Sequence, residues 1–419
     1  MASPDYLSPL KKRLLERLLQ AEAKHQVREA PIEPRSPKER VPLAPCQHQI
    51  WLHAQLDPQA PLYNGTMTLH FNGPLDRAAL ERAMDEMIQR HEIWRTTFAY
   101  VDGQVVQAIH DRLPIEIPFH DLTSFPKAAR QQEAIRLATP DARRPFDLGI
   151  GPLIRARLVK LDQDQYQLFL VQHHLIHDGV TIYGVLMSEL PAIYDAFSKN
   201  QPSPLPQPKL QYADFALWQK RSLENDTGEQ LAYWQKQLAG EVPPLNLPAD
   251  RPRPAVFSFR GAAADFAVPA GLAAAVRETA HREGVTPFAL MLAVLKTLLF
   301  RYTGNEDLVV GTFTDVRRRA EFELTAGFLM NTLVLRSRPS AGRTFRDYLR
   351  EVKDTVLDGL SHRDIPLDQV VREIQWQRDP IRHPVFQTSF TLVPPLPIPD
   401  ARWKRTESEV SAGAAKWDL

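Results

Sequence analysis

The chain has 419 residues, more than one ordinary hydrophobic core accommodates, and its length predicts two large lobes or about three domains. With 51 basic and 50 acidic residues the formal net charge is +1, so the composition shows no global preference for nucleic acid or an anionic membrane. Cys46 is the only cysteine, which excludes an intramolecular disulfide and a cysteine-based zinc cluster.

The N-terminal region predicts a helix and a linker. Four leucines form one stripe of a helix over residues 10–24, and a polar, proline-containing stretch follows over 28–40. This helix either packs on the main body or docks onto another protein. The start of the chain lacks the apolar core of a signal peptide, and no apolar run reaches the length of a membrane span, so we expect a cytoplasmic protein.

One α/β layout is predicted twice along the chain. In the first half, a strand over Thr66–Phe71 is followed by a Gly-Pro break and by a helix that Asp76 caps. The order strand, proline break and helix returns in "RGAAADFAVPAGLAAAVRETAHREG". This repetition predicts two similar α/β lobes, the first over residues 40–222 and the second over 223–419, after an N-terminal helix and linker over 1–39.

The second half contains a further helix with clear end signals. Thr286 is predicted to cap its first turn, Pro287 occupies its first position and Gly304 terminates it. A buried strand over Asp307–Phe313 follows. The proline-rich sequence between the two halves predicts a long connection, and a cleft between the lobes is the expected ligand site.

The sequence HHLIHDG, residues 173–179, is the strongest candidate for chemistry. It follows the strand-like "QYQLFLVQ" and precedes a helix with apolar residues at helical spacing, so it forms a turn at the end of a sheet, where catalytic groups are common. Three interpretations are open. His173, His174 and His177 bind a metal, the turn is purely structural, or one histidine acts as an acid or base while a buried Asp178 fixes the backbone.

The HHLIHDG turn and several other parts of the sequence resemble a known family. HHLIHDG is similar to the HHxxxDG motif of condensation domains of nonribosomal peptide synthetases, which are part of the chloramphenicol-acetyltransferase-like superfamily. The other sequence blocks of that family occur in the same order: "LAPCQHQIWLHAQLDP" (43–58), "RHEIWRTTF" (90–98), "YADFALWQ" (212–219), "AGFLMNTLVLR" (326–336), "HRDIPLDQVV" (362–371) and "RDPIRHPVFQ" (378–387). The resemblance implies an α/β fold of two chloramphenicol-acetyltransferase-like lobes, arranged as a V-shaped pseudo-dimer with a tunnel between them.

The resemblance also implies roles for individual residues. His174 corresponds to the catalytic histidine, and His173 to its structural neighbour. Asp178 is expected to form a salt bridge with Arg317, with the two arginines that follow as alternative partners. Gly179 is expected to flank the phosphopantetheine arm of a carrier protein, because glycine lets a thin substrate arm approach the backbone closely.

The implied reaction is the attack of an amine on a thioester carbonyl. The amine belongs to an aminoacyl group on the phosphopantetheine arm of a downstream peptidyl carrier protein, and an adenylation domain is a further expected partner. The resemblance implies no metal and no intrinsic cofactor. It also implies a structural role for Asn331, which is expected to anchor the strand that crosses between the lobes. We expect a monomer that binds neither nucleic acid nor a membrane.

Two features favour a starter domain, which N-acylates the first amino acid with an acyl group from acyl-CoA. The chain begins with Met and a short helix, without an upstream carrier domain, and Trp94 stands in "RHEIWRTTF" where leucine is usual. Condensation of two carrier-bound aminoacyl or peptidyl thioesters is the alternative, and a catalytically silent module that recruits another protein is the rival of a different class. Family members continue beyond "AAKWDL", so the chain is expected to be an excised piece or to lack the last strands of the second lobe.

Overall fold

The computed structural model describes residues 32–36, 39–225, 228–253, 259–374, 382, 385–393, 400, 402–406 and 410–419. The helix predicted over residues 10–24 lies outside these residues, as do most of the block "RDPIRHPVFQ" and part of the linker. Within the described part of the chain, no single helix is long and apolar enough to cross a membrane. One pair of helices, Ala270–Arg282 and Pro287–Thr303, reaches the length and hydropathy of a membrane span when the two are taken together, but the pair is bent by 105°.

The first lobe is built on a five-stranded sheet. Its strands, in the order β10-β2-β7-β6-β5, are β2 (Asn64–Asn72), β5 (Phe119–Asp121), β6 (Ile154–Asp162), β7 (Gln165–His173) and β10 (Trp403–Thr406). The central strand β7 has antiparallel neighbours on both sides, and its side chains are buried along most of its length. The register pairs Asn64 with His173, so the sheet ends where HHLIHDG begins.

A small sheet and four helices complete the first lobe. The sheet, in the order β1-β4-β3, consists of β1 (Val41–Pro42), β3 (Thr96–Val101) and β4 (Gln104–Ile109). The helices are α1 (His48–Leu56), α2 (Arg77–Arg90), α3 (Lys127–Arg143) and α4 (Met187–Ser198). Asp76 caps α2 as predicted, since its carboxylate accepts a hydrogen bond from the Ala79 N–H at 3.0 Å. The apolar face of α2 is buried in the core of this lobe.

The second half of the chain contributes helices and a short antiparallel sheet. The helices are α5 (Tyr212–Asn225), α6 (Gly228–Gln237), α7 (Ala270–Arg282), α8 (Pro287–Thr303), α9 (Phe345–Ser361) and α10 (Leu367–Ile374), and the sheet pairs β8 (Leu308–Asp315) with β9 (Met330–Ser337). The predicted ends of α8 are confirmed. The Thr286 hydroxyl accepts a hydrogen bond from the Ala289 N–H at 3.1 Å, and Gly304 ends the helix with a φ of 71°.

One strand predicted from the sequence is not formed by the described residues. Residues 261–269 have no regular secondary structure, and only a single bridge, between Arg260 and Ala414, flanks them. A strand requires partners for its backbone donors and acceptors, and this stretch lies open, with Phe266 87% exposed. The predicted strand is therefore wrong, whereas the helix predicted after it is confirmed as α7.

Two segments of the second half cross into the first lobe. β10 pairs with β2, with Trp403 opposite Phe71. Four apolar residues between 316 and 329 belong to the same buried core as β2 and β7. The lobes thus share a core, and the predicted boundary between residues 222 and 223 stays a prediction.

The shared core is tightly packed at Gly327, which generates a test of the fold. Gly327 has a φ of 147°, and a Cβ at this position would lie 1.9 Å from Tyr212 Cδ2. We expect Gly327→Ala to lower the free energy of unfolding by about 3 kcal/mol, because overpacking adds to an unfavourable φ. Urea unfolding measures the change. Gly228→Ala is the matched control, since nothing lies within 4 Å of a Cβ there, and equal midpoints for the two variants would contradict the expectation.

Candidate active site

The HHLIHDG turn connects the central strand β7 to a helix. β7 ends at His173, residues His174–Ile176 form one 3₁₀ turn, and the helix that follows has π-helical hydrogen bonding over Thr181–Leu186 before it continues as α4. Such π-helical turns are frequent at functional sites. The loop before β2 holds the turn from outside, where the Tyr63 carbonyl accepts a hydrogen bond from the His174 N–H at 2.9 Å.

The three histidines of the turn have different surroundings. His173 and His177 are each 5% exposed, whereas His174 keeps more contact with solvent. The His173 Nδ1 accepts a hydrogen bond from the Leu175 N–H at 3.2 Å, and the His177 Nδ1 donates to the His173 carbonyl at 3.1 Å. The rings of His174 and His177 stack with their centroids 4.4 Å apart. His174 is therefore the histidine of the turn that remains accessible to a substrate.

Burial keeps all three histidines neutral at pH 7. Desolvation lowers the pKa of His173 to about 3 and the pKa of His177 to about 4. Desolvation also lowers the pKa of His174 well below its usual value, and the nearby His177 and Lys416 lower it further. A hydrogen bond from the His174 ring to the His177 backbone opposes this shift, because it stabilises the protonated ring. The other ring nitrogen of His174 then has a lone pair available.

The arrangement of the turn does not resemble a metal centre. Within the described residues, no group of three or more His, Cys, Asp or Glu side chains is positioned to hold a metal ion. One ring nitrogen each of His173 and His177 is engaged by the backbone, and the rings of His174 and His177 stack instead of converging on one point. The metal interpretation thus has no support among the described residues, and the structural and the acid–base interpretations stay predictions.

Asp178 and Arg317 form a buried ion pair between the two halves of the chain. The Arg317 Nη1 donates to Asp178 Oδ2 at 2.7 Å and its Nη2 donates to Oδ1 at 3.1 Å. The side chains of Arg317 and Asp178 are 3% and 0% exposed. The two arginines that follow Arg317 pair with other carboxylates. The structure thus pairs Asp178 with Arg317, as the family resemblance implied.

The Asp178 carboxylate also holds its own turn and a segment of the second half. Its Oδ1 accepts hydrogen bonds from the N–H and the hydroxyl of Thr181 at 2.9 and 3.0 Å, and its Oδ2 accepts one from the Leu329 N–H at 2.9 Å. Together with Arg317 these donors occupy the acceptor sites of the carboxylate. Asp178 therefore positions the turn and has no lone pair directed at a substrate.

Gly179 follows this network and is half-buried. A Cβ at this position would make an ordinary contact, 3.6 Å from Tyr183 Cε2, and the φ of Gly179 lies outside the left-handed region. Neither packing nor backbone conformation requires a glycine here. The contact that the sequence led us to expect between Gly179 and a phosphopantetheine arm stays a prediction.

The Asn331 side chain binds backbone groups of the second half of the chain. Its amide nitrogen donates to the carbonyls of Arg363 and Ile365 at 2.8 and 2.6 Å, and its oxygen accepts a hydrogen bond from the Leu367 N–H at 3.3 Å. These bonds tie β9 to the "HRDIPL" loop inside the second lobe. Asn331 is structural, as expected, but it does not anchor a strand that crosses between the lobes.

Three residues beside the turn had no role in the sequence interpretation. The Gln47 side chain donates to the Leu175 carbonyl at 2.7 Å. Gln47 lies in the block "LAPCQHQIWLHAQLDP", so its place in a family block could have marked it as a site residue. Tyr63 supplies the carbonyl that binds His174, and the Lys416 Nζ lies 4.0 Å from the centre of the Tyr63 ring. No local pattern marks Lys416, because its neighbours at the site are distant in the sequence.

An apolar cavity of about 440 Å³ lies in the second lobe, away from the turn. It is formed by α7, α8, α9 and the sheet of β8 and β9, and its lining includes Val285, Phe288, Leu333 and Leu357. No residue of HHLIHDG is among its described lining residues. The tunnel expected between the lobes stays a prediction.

Comparisons with known proteins identify the relatives of this chain. The sequence model of the condensation domain family matches residues 38–415. The chain is 41% identical over 372 residues to chondramide synthase cmdD of Chondromyces crocatus, and the match covers 88% of this chain but spans only 10% of that protein. It is 40% identical over 389 residues to phosphinothricin tripeptide synthetase PhsC of Streptomyces viridochromogenes, covering 92% of this chain and 36% of that protein.

Two solved structures share the fold. The X-domain in its complex with OxyB from teicoplanin biosynthesis is similar with a TM-score of 0.79 and 27% identity, covering 92% of this chain and 84% of the X-domain chain. The starter condensation domain of rhizomide synthetase RzmA with C8-CoA is similar with a TM-score of 0.75 and 24% identity, covering 90% of this chain and 84% of that chain. The predicted α/β fold of two chloramphenicol-acetyltransferase-like lobes is confirmed.

The buried ion pair generates a test of what Asp178 does. We expect Asp178→Asn to lower the free energy of unfolding by about 3–5 kcal/mol, because the buried Arg317 loses its buried, bidentate partner and keeps only the exposed Asp315. Asp315→Asn is the matched control. Asp315 also contacts Arg317, but its side chain is 41% exposed, so the loss should stay within about 1 kcal/mol. Thermal and urea unfolding report both values. An Asp178→Asn protein as stable as the control, yet inactive, would assign Asp178 a chemical role instead.

Proposed function

The chain belongs to the condensation domain family of nonribosomal peptide synthetases, and from this membership we propose that it forms an amide bond. The donor is an acyl thioester. The acceptor is the amine of an aminoacyl group held by the phosphopantetheine arm of a carrier protein. A peptidyl carrier protein and an adenylation domain are the partners that this reaction requires.

The state of His174 carries the proposal. Of the three histidines in the turn it has the most solvent contact, its ring is neutral at pH 7, and one of its nitrogens has an available lone pair. His173 and His177 are buried and bonded to the backbone of the turn. Asp178 is engaged with Arg317 and is unavailable for proton transfer. His174 is therefore the group of this turn best suited to accept a proton from the nucleophile.

In the proposed reaction the amine nitrogen attacks the carbonyl carbon of the thioester. A C–N bond forms, the carbonyl oxygen becomes an oxyanion, and the nitrogen carries a positive charge. His174 accepts a proton from this nitrogen. The oxyanion then re-forms the carbonyl, the C–S bond breaks, and the leaving thiolate takes the proton from His174. The products are an amide and a free thiol.

The lowered pKa of His174 determines when the proton moves. A free ammonium group, with a pKa near 8, is a much weaker acid than the His174 imidazolium, whose pKa is lowered well below its usual value, so a neutral His174 removes its proton inefficiently. The nitrogen of the tetrahedral intermediate is far more acidic. We therefore propose that the amine arrives neutral and that His174 acts after the C–N bond has formed.

The glycine at position 179 is the residue that supports passage of the phosphopantetheine arm in this proposal. Glycine is not required there by packing or by φ, which leaves the approach of a ligand as a physical reason for its presence. The arm is thin, and a side chain at this position would narrow its path. In the proposed complex the thioester carbonyl lies between Gly179 and His174.

Replacing His174 tests the catalytic assignment. We expect His174→Ala to reduce amide formation by roughly 10²- to 10⁴-fold, the usual contribution of a general base, without loss of the fold. Product formation is followed by mass spectrometry of the acceptor carrier protein, and circular dichroism checks folding. His281→Ala, at an exposed histidine of the second lobe, is the control and should keep the full rate. A folded His174→Ala protein with the full rate would remove His174 from the chemistry.

The finer proposal is that the donor is an acyl-CoA, as in a starter domain. Its support is the block "RHEIWRTTF" with Trp94 at its centre. Trp94 is 1% exposed, so it lines no donor site directly. Its indole N–H donates to the Gln172 side chain at 3.0 Å, so the block is bonded to the residue of β7 that precedes His173.

Donor choice is tested with acyl-CoAs of graded length and, in parallel, with an aminoacyl thioester on a separate carrier protein. In the starter reaction the acyl-CoAs are turned over, and each added methylene improves kcat/KM up to about 4-fold until the donor site is filled, since one buried methylene contributes about 0.8 kcal/mol. Mass spectrometry identifies the acylated product. Turnover with the carrier-bound donor alone would reject the starter proposal and keep the amide-forming function.

The rival function is recruitment of another protein without catalysis. The similarity to the X-domain solved with OxyB favours this rival, because that structure is a complex of two proteins. The complete HHLIHDG turn, with an accessible neutral His174 and a satisfied Asp178, favours catalysis. An unmutated chain that binds a partner tightly but turns over neither donor class would support recruitment.

A further inference from the structure

Lys416 lies on a segment that joins the two lobes beside the catalytic turn. At one end of this segment, the Thr66 hydroxyl of β2 donates to the Val410 carbonyl at 2.7 Å. At the other end, the Asp418 N–H donates to the Gln387 carbonyl at 2.9 Å in the second lobe. Lys416 is therefore held between two fixed points.

The Lys416 ammonium group lies over the rings of Tyr63 and Trp417, beside the histidine turn. Its Nζ lies 4.0 Å from the centre of the Tyr63 ring, and that ring lies 5.9 Å from the His173 ring. The Tyr63 carbonyl binds the His174 N–H. One residue thus contacts both Lys416 and the catalytic turn. The charge of Lys416 acts on all three histidines, because each of their pKa values is lowered further by it.

No carboxylate in the described residues compensates the Lys416 charge. Burial alone lowers the pKa of Lys416 to about 7. The titratable groups around it are neutral ones: His53 of α1, Tyr63 and the histidines of the turn. The nearest acid along the chain, Asp418, is bonded to Arg253. Lys416 is half-buried, and a cation in such a place that no carboxylate of the described residues engages calls for an anion that is formed or bound there.

The proposed reaction forms such an anion at the thioester carbonyl. Two backbone donors of the turn are already used, since the His174 N–H bonds to Tyr63 and the Leu175 N–H bonds to His173. The charge of Arg317, the buried cation of the site, is compensated by Asp178 and Asp315, although its Nε has no hydrogen-bond partner among the described residues. Lys416 is the cation beside the turn that remains available to the oxyanion.

We propose that Lys416 is a catalytic residue of this site, whose ammonium group stabilises the oxyanion of the tetrahedral intermediate; this proposal rests on the amide-forming function proposed above. In the first step, the oxyanion forms next to the fixed cation in a desolvated site, where such stabilisation is strongest. When the C–S bond breaks and the carbonyl re-forms, Lys416 returns to its unpaired state. No proton is transferred to or from Lys416.

The test compares Lys416→Met, Lys416→Arg and Lys404→Met with the unmutated chain, on the donor and acceptor that the unmutated chain turns over. Removal of the charge in Lys416→Met should lower kcat roughly 10²- to 10³-fold with little change in KM, as for the loss of one oxyanion donor. Lys416→Arg keeps a cation and should retain most of the rate. Lys404 is an exposed lysine of β10, and its variant should be unaffected.

The pH profile separates catalysis from a structural role. The cationic form of Lys416 is the active one, so the unmutated chain should lose activity as the pH rises through the pKa of Lys416, about 7 in the free protein. This alkaline limb should move to higher pH in Lys416→Arg, since arginine stays charged, and should be absent in Lys416→Met. The melting temperature of Lys416→Met should not fall, because a half-buried charge without a carboxylate partner is removed.

Full activity of a folded Lys416→Met protein, or an unchanged alkaline limb in Lys416→Arg, would overturn the role of Lys416 and leave the amide-forming function in place. Absence of turnover by the unmutated chain with every donor would overturn both proposals. A rate loss in Lys416→Met that is matched by a loss of the fold, with the alkaline limb unchanged in Lys416→Arg, would reduce Lys416 to a structural residue.

Discussion

The rest of the structure depends on one carboxylate, that of Asp178, and on what its burial demands. A charge that is 0% exposed must be compensated by hydrogen bonds and by an opposite charge, and both come from the second half of the chain as well as from the turn itself. Arg317 and the Leu329 N–H approach it from one side, and Thr181 from the other. The turn that presents the histidines is consequently fixed relative to both lobes. The accessible edge of His174 follows from this constraint.

The same site contains histidine and lysine side chains whose charged forms the fold disfavours. Three histidines are kept neutral by desolvation, and Lys416 is kept near the point of losing its proton. Such a group of titratable side chains does not stabilise the native state. It resembles instead the arrangements in which proteins exchange stability for chemistry, with fixed dipoles and few mobile charges around the reacting atoms. The contrast with Asp178 and Arg317, where charge is fully matched, separates the supporting part of the site from its reactive part.

Sequence patterns predicted the parts of this fold that local chemistry determines. Asp76 and Thr286 cap helices because their side chains reach the N–H groups three residues on, and this signal lies within one turn. Partner relations over long distances were predicted only where a family motif supplied them, as for Arg317. The strand expected in residues 261–269 failed because pairing depends on a partner and not on the pattern of the strand itself. Lys416 was not predicted as a site residue, because its neighbours at the site are likewise distant in the sequence.

The insertion of β10 into the sheet of the first lobe has a consequence for how the molecule is made. His70 and Thr406 are hydrogen-bonded across this pairing although they are 336 residues apart. During synthesis at roughly 5–20 residues per second, the outer edge of β2 waits for tens of seconds before its partner leaves the ribosome. An open strand edge is a template for wrong pairing, so this interval is the period in which a newly made chain is most exposed to aggregation. The strand that closes the first lobe thus makes its folding dependent on the completion of the second.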